Sequence, residues 1–335
     1  MTTGDRLVAF GKLGKYLHAI DEAEIEEILL KVRNENPWFT PGSVALALEG
    51  LRGYLNPEKL KKWVSAYTLN PKTIKKIAVV MAGNIPLAGF HDFLSVLISG
   101  HAIVIKLSSK DSVLPTFISN KLIGIEPRFQ SQITIADRLK DFDAVIATGS
   151  DNSSRYFQYY FGKYPHIIRK NRTSCGVLTG SETAEDLILL GRDVFTYFGL
   201  GCRNVSKIFI PQDFDPVKLM KAWDIYVDIL NHHKYHNNYD YQKSILLVNK
   251  MPFYDSGFVI LHENEKLVSP ISVVYLERYK DEQDLTAKLS AVSEKLQCIV
   301  GNMQPHQISF GQAQSPELSD YADKVDTLKF LEKIR

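Results

Sequence analysis

The sequence predicts an α/β protein: a doubly wound parallel sheet, a second α/β unit after it, and a helical segment in front. Three observations predict it. Residues 1–70 carry helix caps and helical spacing but no strand pattern, short apolar runs alternate with helical ones from Lys75, and a second alternation begins near Thr173. Strand–helix–strand succession implies parallel pairing through right-handed crossovers. The expected division is an N-terminal helical segment over 1–70, a sheet domain over 71–172, a second α/β domain over 173–315 and a tail over 316–335.

The elements follow in order. Asp21 and Glu24 form a capping box before an amphipathic run to about Arg33. Thr40-Pro41 opens a helix through Leu51, and Asn56-Pro57 opens another from Glu58 to about Ala66. Lys76–Ala82, Ala102–Leu107, Ile133–Ala136 and Asp143–Thr148 read as strands, with helices over Phe90–Ser99, Ser112–Ile123 and Asn152–Phe161. In the second unit Thr183–Tyr197, Pro216–Leu230 and Asp281–Leu296 read as helices. Val205–Ile210, Ser244–Val248, Ser272–Leu276, Cys298–Val300 and Gln307–Phe310 read as strands.

Composition bounds the function. The chain has 335 residues, 45 % of them hydrophobic, which is enough for two packed domains. Forty Lys+Arg against 38 Asp+Glu is too even to argue for a nucleic-acid partner. No apolar run approaches the roughly 18 residues of a membrane span, and no signal-peptide core opens the chain. Three cysteines (Cys175, Cys202, Cys298) cannot all pair, so a cytoplasmic, reducing-compartment enzyme is expected.

Ligands on doubly wound sheets bind at the carboxyl ends of strands, which draws attention to three loops. Gly83-Asn84-Ile85-Pro86-Leu87 can hold out an amide donor on a turn stiffened by Pro86, or be a plain turn. Lys106-Leu107-Ser108-Ser109-Lys110 suits a phosphate-bearing ligand, and reads equally as a solvated loop. Thr148-Gly149-Ser150 opens a helix whose first N–H groups suit a phosphate, or is a simple cap. Neither the usual dinucleotide glycine fingerprint nor a Walker sequence is present.

A cysteine nucleophile needs access and nearby backbone N–H groups for the oxyanion. Gly199-Leu200-Gly201-Cys202 offers both, with Arg203 beside it to depress the thiol pKa, although a core cysteine next to a flexible turn would look the same. Cys175, in Arg172-Thr173-Ser174-Cys175-Gly176, is the competing candidate, and Cys298 reads as a buried strand residue. His232, His233 and His236 with Asp240 lack metal-ligand spacing and read as a solvated cluster in a polar loop, so no metal is expected.

Together these loops resemble the aldehyde dehydrogenase superfamily, and within it the LuxC-type acyl-CoA reductases, over roughly Lys75 to Phe330. The matching stretches are MAGNIPL (81–87), SGHAIVIK (99–106), ATGS (147–150), FGLGCR (198–203) and FGQAQ (310–314). The resemblance implies an aldehyde-dehydrogenase-like fold, with 71–172 as the dinucleotide-binding domain and 173–315 as the catalytic domain. It makes Cys202 the nucleophile, Asn84 the oxyanion amide and Lys106 the ribose lysine, with Gly149 and Ser150 near the cofactor pyrophosphate. Ser109 stands where NAD-preferring relatives carry a carboxylate, which implies NADPH.

The departures are informative too. Aldehyde-oxidising relatives place a water-activating glutamate well before the nucleophile; here the region is Ile168–Cys175, with no carboxylate. A second family glutamate falls around Glu265-Lys266 and is not assigned. The expected activity is NADPH-dependent reduction of a fatty acyl-CoA or acyl-protein thioester to an aldehyde through an S-acyl-cysteine. The alternatives are an aldehyde-oxidising dehydrogenase and a non-redox acyl-carrying subunit. A homo-oligomer or a complex with an acyl-donating protein fits the resemblance.

Overall fold

A computed structural model of the chain describes residues 1–303 and 307–334. It divides into two compact units, Met1–Asn171 with Glu317–Arg335, and Arg172–Pro316.

The first unit opens with helices α1 (Thr3–His18), α2 (Glu22–Glu35), α3 (Pro41–Tyr54) and α4 (Pro57–Val64). Asp21, Thr40 and Asn56 cap the last three through side-chain oxygens that accept backbone N–H groups of the first turn. The capping box expected at Asp21 does not close: Glu24 turns away to pair with Lys121 at 2.6 Å and to accept the Tyr16 hydroxyl. A charged partner outbids a neutral N–H for that carboxylate.

The sheet follows as β1 (Lys76–Val80), α5 (Phe90–Ser99), β2 (Ala102–Lys106), α6 (Val113–Ile125), β3 (Ile133–Ile135), β4 (Ala144–Thr148), α7 (Asp151–Phe161) and β5 (His166–Arg169). All five strands are parallel, in the order β3-β2-β1-β4-β5. One face carries Ile77, Val79, Ile103 and Ile105 into a core shared with α1, α3, α4 and α5, so the N-terminal helices complete this sheet's cover. Ala78, Val145 and Ala147 face the other way, under Phe157 and Phe161 of α7. With both faces buried, the strands are near-continuous apolar runs, which is why the sequence reveals them.

The second unit contains β6 (Thr173–Val177), α8 (Ala184–Phe195), β7 (Val205–Pro211), α9 (Val217–Trp223), α10 (His233–Val248), β8 (Tyr254–Asp255), β9 (Ile260–Glu263), β10 (Val273–Tyr279), α11 (Glu282–Val292) and β11 (Leu296–Val300). The sheet order is β11-β6-β7-β10-β9-β8, parallel except for the short edge strand β8. Several expectations fail here. Ser244–Val248 is the end of α10 rather than a strand, because Tyr235, Tyr239 and Leu246 are buried at helical spacing while Val248 is 81 % exposed. For the same reason His233 and His236 sit on a helix, not in a loop. The segment expected as one helix to Leu230 is α-helical only to Trp223 and continues as a 3-10 helix to Asn231. Ile308 makes only an isolated bridge to Val300.

The chain then returns to the first unit through α12 (Thr327–Glu332), whose Leu328 and Leu331 enter that unit's core. Trp63 donates its indole N–H to the Tyr321 hydroxyl at 2.8 Å, and Lys59 pairs with Glu317 at 3.0 Å. Among the described residues no helix is long and apolar enough to cross a membrane.

Candidate active site

In the first unit the loops after β1, β2 and β4 leave the carboxyl ends of three adjacent strands. The chain reverses its direction of winding between β1 and β4, the place where such sheets open a crevice. Asn84 is exposed on the turn after β1. Gly83 before it cannot be replaced cheaply, since an added Cβ would lie 2.4 Å from Ser108 Oγ in the next loop. After β2, Lys106 is half-buried with Nζ 3.8 Å from Asp137, and Ser109 and Lys110 are exposed. After β4, Ser150 caps α7 by accepting the Ser153 N–H at 3.2 Å, so its hydroxyl already serves the helix. Gly149 leaves room for that helix: an added Cβ would lie 2.8 Å from the Phe157 ring. Thr148, at the strand end, accepts from Arg169, which also pairs with Asp92 at 2.5 Å and donates to Thr327 at 3.0 Å.

In the second unit Cys202 is exposed on the turn between α8 and β7. The approach is unusual: Tyr197, Phe198 and Gly199 are all left-handed, at φ 52°, 58° and 76°. Glycine adopts this readily, whereas for the two aromatics it costs about 1–2 kcal/mol each. Asn204 holds the turn in place. Its Oδ1 accepts the Gly201 N–H at 2.8 Å, and its Nδ2 donates to the carbonyls of Thr196 at 2.7 Å, Asp193 at 3.1 Å and Val194 at 3.3 Å. Ser174 on β6 donates to the Cys202 carbonyl at 3.1 Å. Arg203 donates to the Ala313 carbonyl. The buried Asp193 carboxylate accepts the N–H groups of Gly311 at 2.6 Å and Ala313 at 2.9 Å, and burial pushes it up to about 6. The stretches 198–203 and 310–314 are thus tied together through Asp193 and Arg203. Behind the turn lies a cavity of ≈ 60 Å³ lined by Phe198, Gly199 and Tyr235, among others.

The other cysteines are placed differently. Cys175 is fully buried in β6, where burial, reinforced by Cys298, pushes the thiol far up and away from the reactive thiolate. Cys298 is half-buried, with Sγ 3.0 Å from Ser174 Oγ. His232 precedes α10 and packs tilted against the Phe198 ring at 4.4 Å, and His236 lies 3.6 Å from Asp240. Glu265 is exposed, and its carbonyl accepts the buried Lys207 ammonium at 2.8 Å. Asn204, Asp193 and Arg169 are absent from the sequence reading. The signal for Asn204 was its adjacency to the glycine turn; Asp193 and Arg169 gave none, because their partners are distant in sequence.

The family model described as Acyl-CoA reductase (LuxC) matches residues 56–202. The likeness to that family lies within residues 56–202. The segment runs from the cap of α4 and ends on the exposed cysteine. A search of the curated proteins returns no match.

Solved structures resemble the fold. An aldehyde dehydrogenase of Mycobacterium tuberculosis complexed with NAD+ superposes with a TM-score of 0.64 at 12 % identity, covering 86 % of this chain and 71 % of that one. Aldehyde dehydrogenase C of Pseudomonas syringae, a cysteine-to-alanine mutant with NAD+ and octanal, gives 0.66 at 10 % identity, covering 91 % and 73 %. The indole-3-acetaldehyde dehydrogenase AldA of P. syringae, with NAD+ and IAA, gives 0.68 at 12 % identity, covering 90 % and 73 %. The fold is that of the aldehyde dehydrogenases, as the sequence resemblance implied.

Proposed function

We propose that the chain reduces an acyl thioester, either a fatty acyl-CoA or an acyl group carried on a protein, to an aldehyde with NADPH. The observation that carries this reading is the exposed Cys202 on a braced glycine turn at the end of the LuxC match, with no carboxylate across 168–175.

The donor set at the carboxyl ends of β1, β2 and β4 fits a phosphorylated dinucleotide. Lys106, Ser109 and Lys110 offer two ammonium groups and a hydroxyl for a 2′-phosphoribose; 106–110 carries no carboxylate, and the exposed Asp137 lies 3.8 Å from the Lys106 ammonium. Gly149 and the start of α7 offer backbone N–H groups for a pyrophosphate, with Ser150 at the cap. When bound, NADPH supplies the hydride that converts the acyl group to an aldehyde.

The chain's own residues do the rest. The Cys202 sulfur attacks the thioester carbonyl carbon, and the carrier thiol leaves with a proton as the new C–S bond forms. The Cys202 N–H and the Asn84 amide stabilise the oxyanion. With no carboxylate in 168–175 to activate water, the S-acyl group persists until it is reduced. Release of the aldehyde breaks the C–S bond and returns the thiol. Three free cysteines suit the reducing cytoplasm.

The test is incubation of the purified chain with a panel of acyl-CoAs and NADPH, following absorbance loss, trapping aldehyde and mapping the acyl adduct. Aldehyde formation with one adduct on Cys202, both lost in Cys202→Ala, is the expected result. Full activity in Cys202→Ala with an adduct on Cys175 overturns it. Oxidation of aldehyde without thioester reduction gives the dehydrogenase reading, and acylation of Cys202 without dinucleotide binding gives the acyl-carrying one.

A further inference from the structure

Asp111 closes the loop that follows β2, and it is 2 % exposed. Its Oδ2 accepts the backbone N–H of Leu87 at 2.7 Å. Leu87 ends the turn that carries Asn84 and is left-handed, at φ 58°. A leucine stays in that region only where its surroundings hold it.

The start of the same turn touches the same loop. An added Cβ on Gly83 would lie 2.7 Å from Ser108 Cβ and 3.2 Å from Asp111 Cβ. Ser108 and Asp111 are themselves joined, the Asp111 N–H donating to the Ser108 carbonyl at 3.2 Å. Both ends of the Asn84 turn therefore rest on the segment that begins with Lys106.

The second carboxylate oxygen, Oδ1, is buried without a hydrogen-bond partner among the described residues. Glu35 comes from the end of α2 and spends its own carboxylate on the Ser112 and Val113 N–H groups and the Ser112 hydroxyl. Lys110, next in sequence, is exposed. Burial pushes the Asp111 carboxyl up to about 7; the Leu87 N–H opposes the rise, and the Glu35 charge adds to it.

We propose that Asp111 is a positioning residue that fastens the Asn84 turn to the loop of Lys106 and Ser109, and that it holds the turn more tightly when ionised. The inference rests on the proposed role of Asn84 in reduction. An ionised acceptor makes roughly twice as strong a hydrogen bond as a neutral one. Protonation removes a buried charge and the repulsion from Glu35, and it weakens the grip on Leu87. The turn therefore tightens as pH rises through neutrality, and acylation of Cys202 quickens with it.

The experiment compares the intact protein with Asp111→Asn and Asp111→Ala. Asp111→Asn keeps an oxygen for the Leu87 N–H but cannot titrate. Two quantities are read across about pH 6 to 8: hydrogen exchange of the 83–90 segment, corrected for its intrinsic pH dependence, and the rate of Cys202 acylation by an acyl-CoA. In the intact protein, protection and acylation should rise together several-fold. In Asp111→Asn protection should be flat, and acylation should rise only as far as ionisation of the Cys202 thiol carries it. In Asp111→Ala protection should be lowest and acylation about tenfold slower, with little change in the acyl-CoA concentration for half-maximal rate.

Protection of 83–90 that is independent of pH in the intact protein, or equally pH-dependent in Asp111→Asn, overturns the inference. Should Asp111→Ala not fold, that comparison decides alone. Exchange that behaves as expected while acylation ignores it leaves Asp111 fastening the turn and removes Asn84 from the chemistry instead.

Discussion

Replacing Asn204 by alanine tests whether the nucleophile turn is held by one side chain. The amide is 2 % exposed and fills the space between α8 and the turn. Its loss removes the 2.8 Å bond to the Gly201 N–H and the 2.7 Å bond to the Thr196 carbonyl. Each well-made bond contributes about 1 kcal/mol net, and a buried group left unmet costs about 1–3 kcal/mol more. Gly201 is buried and would lose its acceptor, whereas Thr196 is half-buried and within reach of water. The second unit should therefore lose about 3 kcal/mol. Asn204→Asp should be no better, since it keeps the acceptor for Gly201 but turns a second oxygen toward three carbonyls.

The assay is denaturant unfolding read through Trp223, whose indole N–H donates to the Leu187 carbonyl of α8 at 2.8 Å. Trp38 and Trp63 are replaced by Phe in every protein compared. A parallel measurement follows alkylation of Cys202 by a neutral reagent. Tyr197 and Phe198 would be free to leave the left-handed region once the amide is gone, so the alkylation rate should change with stability. A loss under about 1 kcal/mol with an unchanged alkylation rate would refute the reasoning, and the turn would then be set by Ser174 and Arg203.

Three further outcomes are expected. Asp193 is pushed up to about 6 from an ordinary 3.8, so between those values the folded state holds more proton than the unfolded one, and stability falls as pH rises through that window. The loss is on the order of 3 kcal/mol, seen as a pH-dependent difference in unfolding midpoint between the intact protein and Asp193→Asn. Asn84→Ala should lower turnover about a hundredfold with a smaller change in substrate affinity, the usual result of losing one oxyanion donor, and steady-state kinetics checks it. Ser109→Glu should weaken NADPH more than NADH, because a carboxylate repels a 2′-phosphate and accepts from a free ribose hydroxyl; equal or better kcat/KM with NADH in the unmodified protein would sink the cofactor reading.

The strand–helix alternation was legible because central parallel strands must be apolar on both faces. Phe90–Ser99 matches its helix to the residue. What escaped was not confined to the edges, since helices α1 and α10 and the interior strands β6 and β9 went unread. Edge strand β5 has four residues, and β8 only two. Ile245–Val248 looked like a strand because its side chains are apolar, yet Leu247 and Val248 face outward on a helix. The glycine turn and the strand-end loops were visible as local patterns. Their supports were not: Asp193 acts on Gly311 and Ala313 across 118 and 120 residues, and a buried carboxylate looks like any other aspartate until its partners are placed.

The return of residues 317–334 to the first unit bears on how the chain is made. Trp63 meets Tyr321 across 258 positions, so the first unit's core stays open until the segment around Tyr321 has been synthesised. The second unit is continuous and can close while α4 and α5 still lack their last partner. Domains usually fold in the order they leave the ribosome. Here the unit begun first is finished last, and the face awaiting α12 is exposed meanwhile. A chain stopped after Pro316 would keep the contiguous fold of the second unit and leave uncovered both Trp63 and His101, whose ring meets the Leu331 carbonyl at 3.3 Å. Such a chain would offer chaperones a defined surface rather than a generally unfolded one.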